Sequence, residues 1–284
     1  MRNKFYGACT WIFGDLPLPE IAKCLARLGY SGVELLGEIE KYPAAQARRL
    51  LDDQGLGVFS MTPTQIDLAH PDTRTRKEAL DYYFRLLDYA AQVGSPLISC
   101  HGAVGRVRAI TSWQHELDLL IAAVRSIAER AEQLGLQVAL ELLNRYETHL
   151  LNNVEQALDF VSQVGLLNVG IHLDAYHMNI EEPNPAGAIL AADQHLFLFH
   201  VADSNRQAVG RGHTDFGTLI RALDQVGYTG PIVIECVAPG PDPFRAIKDE
   251  SSETWVETYL QESLAKLRAL DAKALPHQPK RARV

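Results

Sequence analysis

Cysteine is scarce in this sequence and never paired by spacing. Cys9, Cys24, Cys100 and Cys236 form no CxxC or other metal-type pattern, and each sits in an apolar stretch. That excludes a thiolate metal centre and predicts buried, reduced thiols. Positive charge is also in short supply: 27 Lys and Arg face 35 Asp and Glu, for a formal net charge of -8. Nucleic-acid binders carry a basic face, so nucleic acid is excluded as the main partner. No apolar run reaches the roughly 20 residues of a membrane span. The opening MRNKFYGACTW has no apolar core of a secretion signal. A soluble, cytoplasmic protein is expected. Phosphate cradles are absent too. No strand-like run leads into a GxGxxG turn, and the last loop, CVAPGPDPF, has no Gly-rich entry to a helix. The ligand is therefore expected to be small, hydroxylated and without phosphate.

What the chain does contain is alternation. Eight short apolar runs (FYGACTW, GVELL, GVFSMTP, PLISCHG, QVALELL, NVGIHLD, LFLFHVAD and PIVIECV) are separated by amphipathic, helix-period stretches. Six of those stretches end at Gly29, Gly55, Gly94, Gly135, Gly165 and Gly227, residues suited to the left-handed turn that closes a helix. Continuous apolar strands followed by helices predict a parallel sheet covered on its outer face. Eight such units in 284 residues predict an α/β protein, a single-domain (β/α)8 TIM barrel over residues 1–270. Residues 271–284, ending KRARV, are expected to form a solvated basic tail.

Barrels of this kind place chemistry where strands end. The last four runs each finish on an ionisable side chain: Glu141, Asp174, His200 and Glu235. Three carboxylates and an imidazole aimed at one mouth would be costly to bury without a cation. Their oxygen-rich chemistry suits Mn²⁺, Co²⁺ or Mg²⁺. Each of three ligands has a polar follower on the loop expected after its strand: Glu147, His177 and Arg206. An Arg beside a divalent cation is repelled unless it faces an oxyanion of the substrate.

The stretches ELLNRYETHLLN, LDAYHMNIEE, HVADSNRQAVGRGH and GYTGPIVIE resemble the ketose 3-epimerases, which act on D-tagatose, D-psicose (allulose) or L-ribulose. That group belongs to the xylose-isomerase-like barrels. The resemblance is dense over residues 137–235 and thin before them. It implies that Glu141, Asp174, His200 and Glu235 hold one Mn²⁺ or similar ion, and that Glu147, His177 and Arg206 hold the C1 to C3 end of the sugar. It implies a homodimer or homotetramer; the lack of a membrane-length apolar run argues against a membrane partner. It also implies a dual role, ligand and proton carrier, for Glu141 and Glu235.

Such a set suits C3 epimerisation of a free ketohexose or ketopentose. A divalent ion on the ketone oxygen stabilises the ene-diolate left when the neighbouring C–H is removed. Two carboxylates then serve as base and acid, while Arg206 and His177 meet charge at O2. The alternative is a metal-dependent dehydratase or isomerase of a cyclic polyol or keto-acid, using the same ligands. Tyr6, Trp11, His101 and Trp113 are candidates for the wall around the distal half of the sugar. Here the sequence departs from the family: ACTWIFGD and ISCHGAVGRVR follow no epimerase pattern closely, and Cys236 stands where several members have Pro after the last Glu. Asp215 is expected to cap the helix beginning at Phe216, with His213 shaping the loop before it. His172 is expected to point away from Asp174, as an outer support of the site.

Overall fold

Strands buried on both faces need apolar residues at nearly every position, and such strands form here. The computed structural model describes residues 4–242 and 245–272. Eight strands run in chain order: β1 (Tyr6–Cys9), β2 (Gly32–Leu36), β3 (Gly57–Thr62), β4 (Leu97–Cys100), β5 (Gln137–Glu141), β6 (Val169–Asp174), β7 (Leu196–Val201) and β8 (Ile232–Ile234). Each pairs in parallel with its sequence neighbours, and β8 returns to β1, closing the barrel. Helices follow the strands: α1 (Leu18–Leu28), α2 (Ala44–Asp52), α3 (Thr73–Val93), α4 (Trp113–Gln133), α5 (Val154–Val164), α6 (Ala175–Glu181), α7 (Pro185–Ala192), α8 (Phe216–Val226) and α9 (Ser252–Asp271).

The helices start and stop for local reasons. Asp72, Ser112, Asn153 and Asp215 accept from backbone N–H groups three residues on, capping α3, α4, α5 and α8. Gly29 closes α1 at φ 88°, a conformation that strains any side chain. Leu18, Ile21, Ala22 and Leu25 recur at helical spacing and form the buried face of α1. Each buried Leu or Ile of this kind contributes about 2 kcal/mol.

One element departs from expectation. Between β6 and β7 the sequence predicts one short helix, PAGAILAADQ, and the structure has two. The additional one, α6, begins on the residue after Asp174, with no loop between. His177 therefore sits on a helix and not on a loop. Of the predicted basic tail, only Asp271 and Ala272 are described, at the end of α9; residues 273–284 lie outside the described residues. Among the described residues, no helix is long and apolar enough to cross a membrane.

Candidate metal centre and the cavity above it

Parallel register brings strand ends to one level. Asp174 lies opposite His200 across β6 and β7, and Glu141 lies opposite His172 across β5 and β6. His200 pairs with Val233 and Val201 with Ile234, which leaves Glu235 as the first residue beyond β8. Glu141, Asp174, His200 and Glu235 thus converge, each offering a donor atom within 4.8 Å of the others. All four are buried, Asp174 and His200 to 1% exposure.

Two atoms at this centre, Asp174 Oδ2 and His200 Nδ1, have no hydrogen-bond partner among the described residues. Buried polar atoms are normally satisfied, so orphans at a shared centre are what a cation-binding cage leaves. The electrostatics agree. Burial, then Glu235, pushes the Glu141 carboxyl well above the usual carboxylate range. The same two causes raise Asp174 to about 7. Burial would lower the His200 imidazole, but Glu34 and Glu235 outweigh it and raise it. Burial would raise Glu235, but His200, Arg206 and Trp11 hold it well below its ordinary value. An acidic cage that strains to stay ionised and favours positive charge fits a divalent cation.

The followers line a cavity of about 870 Å³ above this centre. His177 Nδ1 accepts from the Asn144 backbone N–H at 3.2 Å and lies 2.8 Å from Asn144 Nδ2. A backbone N–H can only donate, so the ring proton is on Nε2. That Nε2 makes no hydrogen bond among the described residues, and Asp174 Oδ2 lies 3.7 Å from it. Burial, with Arg206 next, lowers His177 to about 3, which keeps it a neutral donor. Arg206 reaches Glu147 Oε1 at 3.4 Å and Glu235 Oε2 at 3.3 Å. Its guanidinium lies over the rings of Tyr176 and Trp11, 4.8 and 5.8 Å from their centroids. Its backbone sits at φ 59°, a left-handed conformation uncommon for any residue but glycine. Asp203 holds that turn, accepting from the N–H groups of Ser204, Gly210 and Thr214.

The wall candidates divide. Trp11 lines the cavity and donates from Nε1 to Glu235 Oε1 at 2.8 Å. His101 lines it too, and burial lowers its imidazole to about 4. Tyr6 and Trp113 do not line it. Tyr6 is buried among the charges of Asp271, Arg268 and Asp224, towards the other end of β1. Trp113 is 41% exposed at the start of α4, with Nε1 bonded to the Leu150 carbonyl. His213 is exposed and contacts Ser204 Oγ. Cys236 is buried, its thiol pushed up to about 12 by burial.

His172 corrects a second expectation. Alternation puts residues two apart on the same side of a strand, so His172 faces inward with Asp174. Its ring stands edge-on to that of His200, centroids 3.9 Å apart, and its Nδ1 meets Ser99 Oγ at 3.0 Å. Further residues of the site carry weaker signals in the sequence. Glu34, a lone charge inside GVELL, is fully buried beside His200. Asn144, Tyr176 and Asp203 build the frame around Glu147, His177 and Arg206.

A closed parallel barrel with a candidate divalent-cation site at its C-terminal mouth defines the class of protein. Residues 22–269 match the Xylose isomerase-like TIM barrel family, to which the chain belongs. A ketose 3-epimerase of Arthrobacter globiformis is 46% identical over 114 residues, 40% of this chain. That match spans 39% of the relative's own length, well under two thirds. A D-psicose 3-epimerase of Agrobacterium fabrum is 30% identical over 229 residues, 76% of this chain and 78% of the relative. Among solved structures, the D-psicose 3-epimerase with D-tagatose from Clostridium cellulolyticum H10 has a TM-score of 0.84 at 26% identity. It covers 94% of this chain and 99% of that one.

Proposed function

We propose that the chain is a divalent-metal-dependent ketose 3-epimerase, an isomerase inverting C3 of a free ketohexose or ketopentose. One observation carries this: four side chains from consecutive strand ends offer donor atoms within 4.8 Å, with orphaned atoms among them, beneath a cavity roomy enough for a sugar. Glu141, Asp174, His200 and Glu235 would hold the ion. Three oxygen donors and one nitrogen favour Mn²⁺, with Co²⁺ or Mg²⁺ as substitutes. A bound ion of this kind polarises a ketone oxygen and so acidifies the adjacent C–H.

The chain's own groups then do the rest. Glu141 and Glu235 come from the ends of β5 and β8, three strands apart around the barrel, and serve as proton carriers, one taking the C3 proton and the other returning a proton to the opposite face. His177 donates from Nε2 to the sugar oxygen beside it. Arg206 meets the charge that collects on O2, and Glu147 receives a hydroxyl. Trp11 holds Glu235 in place and, with His101, bounds the sugar. We assign a homodimer or homotetramer, because Val107, Ile110 and Tyr146 on adjoining loops and Trp113 at the start of α4 expose apolar surface. Free Cys9, Cys24, Cys100 and Cys236 favour the cytoplasm.

The test is a panel of free ketoses turned over in D₂O with Mn²⁺, read by NMR. Deuterium should appear at C3 of both substrate and epimer. Epimer formed with its original C3 hydrogen retained would sink this mechanism.

A further inference from the structure

One buried carboxylate is left without a part in this chemistry. Glu34 does not line the cavity, yet it is wholly enclosed at the level of Cys9 and Ser60 in the neighbouring strands. The β2–β3 register shifts just before it, a local irregularity common beside functional sites. Its partners are donors. Ser60 Oγ donates to Oε2 at 2.6 Å, and Cys9 Sγ donates to Oε1 at 3.3 Å. Oε1 also faces His200 Nε2 at 3.2 Å, short of a well-aligned hydrogen bond but within ion-pair reach. A side chain with donors on both oxygens acts as an acceptor only.

We propose that Glu34 is a positioning residue. By facing the Nε2–H of His200 it fixes the tautomer and tilt of that ring, so that the Nδ1 lone pair points into the candidate cation site. A neutral imidazole carries one ring proton, and an acceptor on the Nε2 side draws it there. Neither ring nitrogen makes a well-aligned hydrogen bond among the described residues, but Nε2 has Glu34 Oε1 at 3.2 Å while the opposite nitrogen, Nδ1, lies farther, 3.7 Å, from Glu235 Oε2. The edge-on His172 ring, itself held by Ser99, limits rotation of His200 from the side. Carboxylates behind metal-bound histidines orient the ring and raise its basicity, and losing one weakens metal affinity about 10- to 100-fold.

This inference rests on the divalent-ion reading of the site and adds a residue to it. The test measures Mn²⁺ affinity by competition with a fluorescent chelator, alongside circular dichroism of each chain. Glu34→Gln should bind Mn²⁺ about 10- to 100-fold more weakly, with turnover largely recovered at saturating Mn²⁺. Ser60→Ala, which frees the far oxygen of Glu34, should weaken binding in the same direction by less. A folded Glu34→Gln chain with wild-type Mn²⁺ affinity overturns the proposal. If that variant does not fold, unchanged affinity in Ser60→Ala overturns it. Cys9, Glu34 and His200 also lie close enough to hold an ion themselves. Two equivalents of Mn²⁺ per wild-type chain would therefore overturn the positioning role as well. A wild-type chain that binds no Mn²⁺ removes the metal reading, and this proposal with it.

Discussion

Two buried clusters of charge lie on the C-terminal side of this barrel, and they are built in opposite ways. In the first, Glu116 is fully enclosed and its oxygens are both used. Oε1 accepts from the backbone of Ile110 and Thr111 at 2.6 and 2.8 Å, and Oε2 meets His149 at 2.8 Å and Arg106. Arg106 in turn grips Asp67 with two nitrogens, at 2.8 and 3.1 Å. In the second cluster, Glu141, Asp174, His200 and Glu235 crowd acid against acid and leave atoms without partners. Burial of charge is common to both. What separates them is satisfaction: the first closes on itself and holds loops, while the second leaves Asp174 Oδ2 and the His200 ring without hydrogen bonds among the described residues.

The largest effect should come from Glu235→Gln. If the orphaned cluster is the seat of proton transfer, turnover should fall by about 10²- to 10⁴-fold. Initial rates with the best ketose of the panel would show it, and a variant within a few-fold of wild type would break the comparison. Chelation is the next step. Stripping metal should abolish activity reversibly and lower the melting temperature. An ion at 100 times its dissociation constant contributes about 2.7 kcal/mol to the folded state. Calorimetry with and without Mn²⁺ reads this directly; a chelated chain of unchanged melting temperature and full activity contradicts it.

The satisfied cluster should respond in the opposite sense. Glu116→Gln should cost about 3 kcal/mol of stability by leaving Arg106 short of its partner, with Mn²⁺ affinity unchanged. Denaturant melts paired with the chelator assay test both halves. The pH dependence sharpens it. Burial alone would raise the Glu116 carboxyl, but Arg106 and the N–H groups of Thr111 and Ile110 lower it to about 2 from an ordinary 4.5. A depressed carboxylate stabilises the fold in full above the unfolded value, and loses that contribution as pH falls towards the folded one. The gap between wild type and Glu116→Gln should therefore be constant above about pH 5 and narrow as the pH falls from 4.5 towards 2.

Much of this was legible in the chain itself. The strands read clearly because strands buried on both faces are apolar throughout, and the helix ends because Gly29, Gly94, Gly165 and Gly227 take the left-handed conformation. The four converging side chains were visible as polar endings to apolar runs. α6 was not, since AYHMNIE is short, starts directly on a strand residue and shows no apolar period of its own. Glu34 is not marked by position, because it lies inside the run GVELL and not at its end. Tyr6 and Trp113 were aromatic and near the right runs, but which end of a strand, or which face of a helix start, an aromatic occupies is settled by packing and not by spacing.

Asp174 does two jobs at once. One of its oxygens accepts the Tyr176 N–H at 2.8 Å and so starts α6; the other is the orphan aimed at the centre. A carboxylate pinned at one end by the backbone has surrendered its torsional freedom, so the chain aims its free oxygen without any further side chain to brace it. His177 rides the first turn of that same helix. The rim of the barrel thereby turns the unsatisfied start of a helix into a rigid jig, in which the strand's last residue and the donor one turn beyond keep a fixed offset.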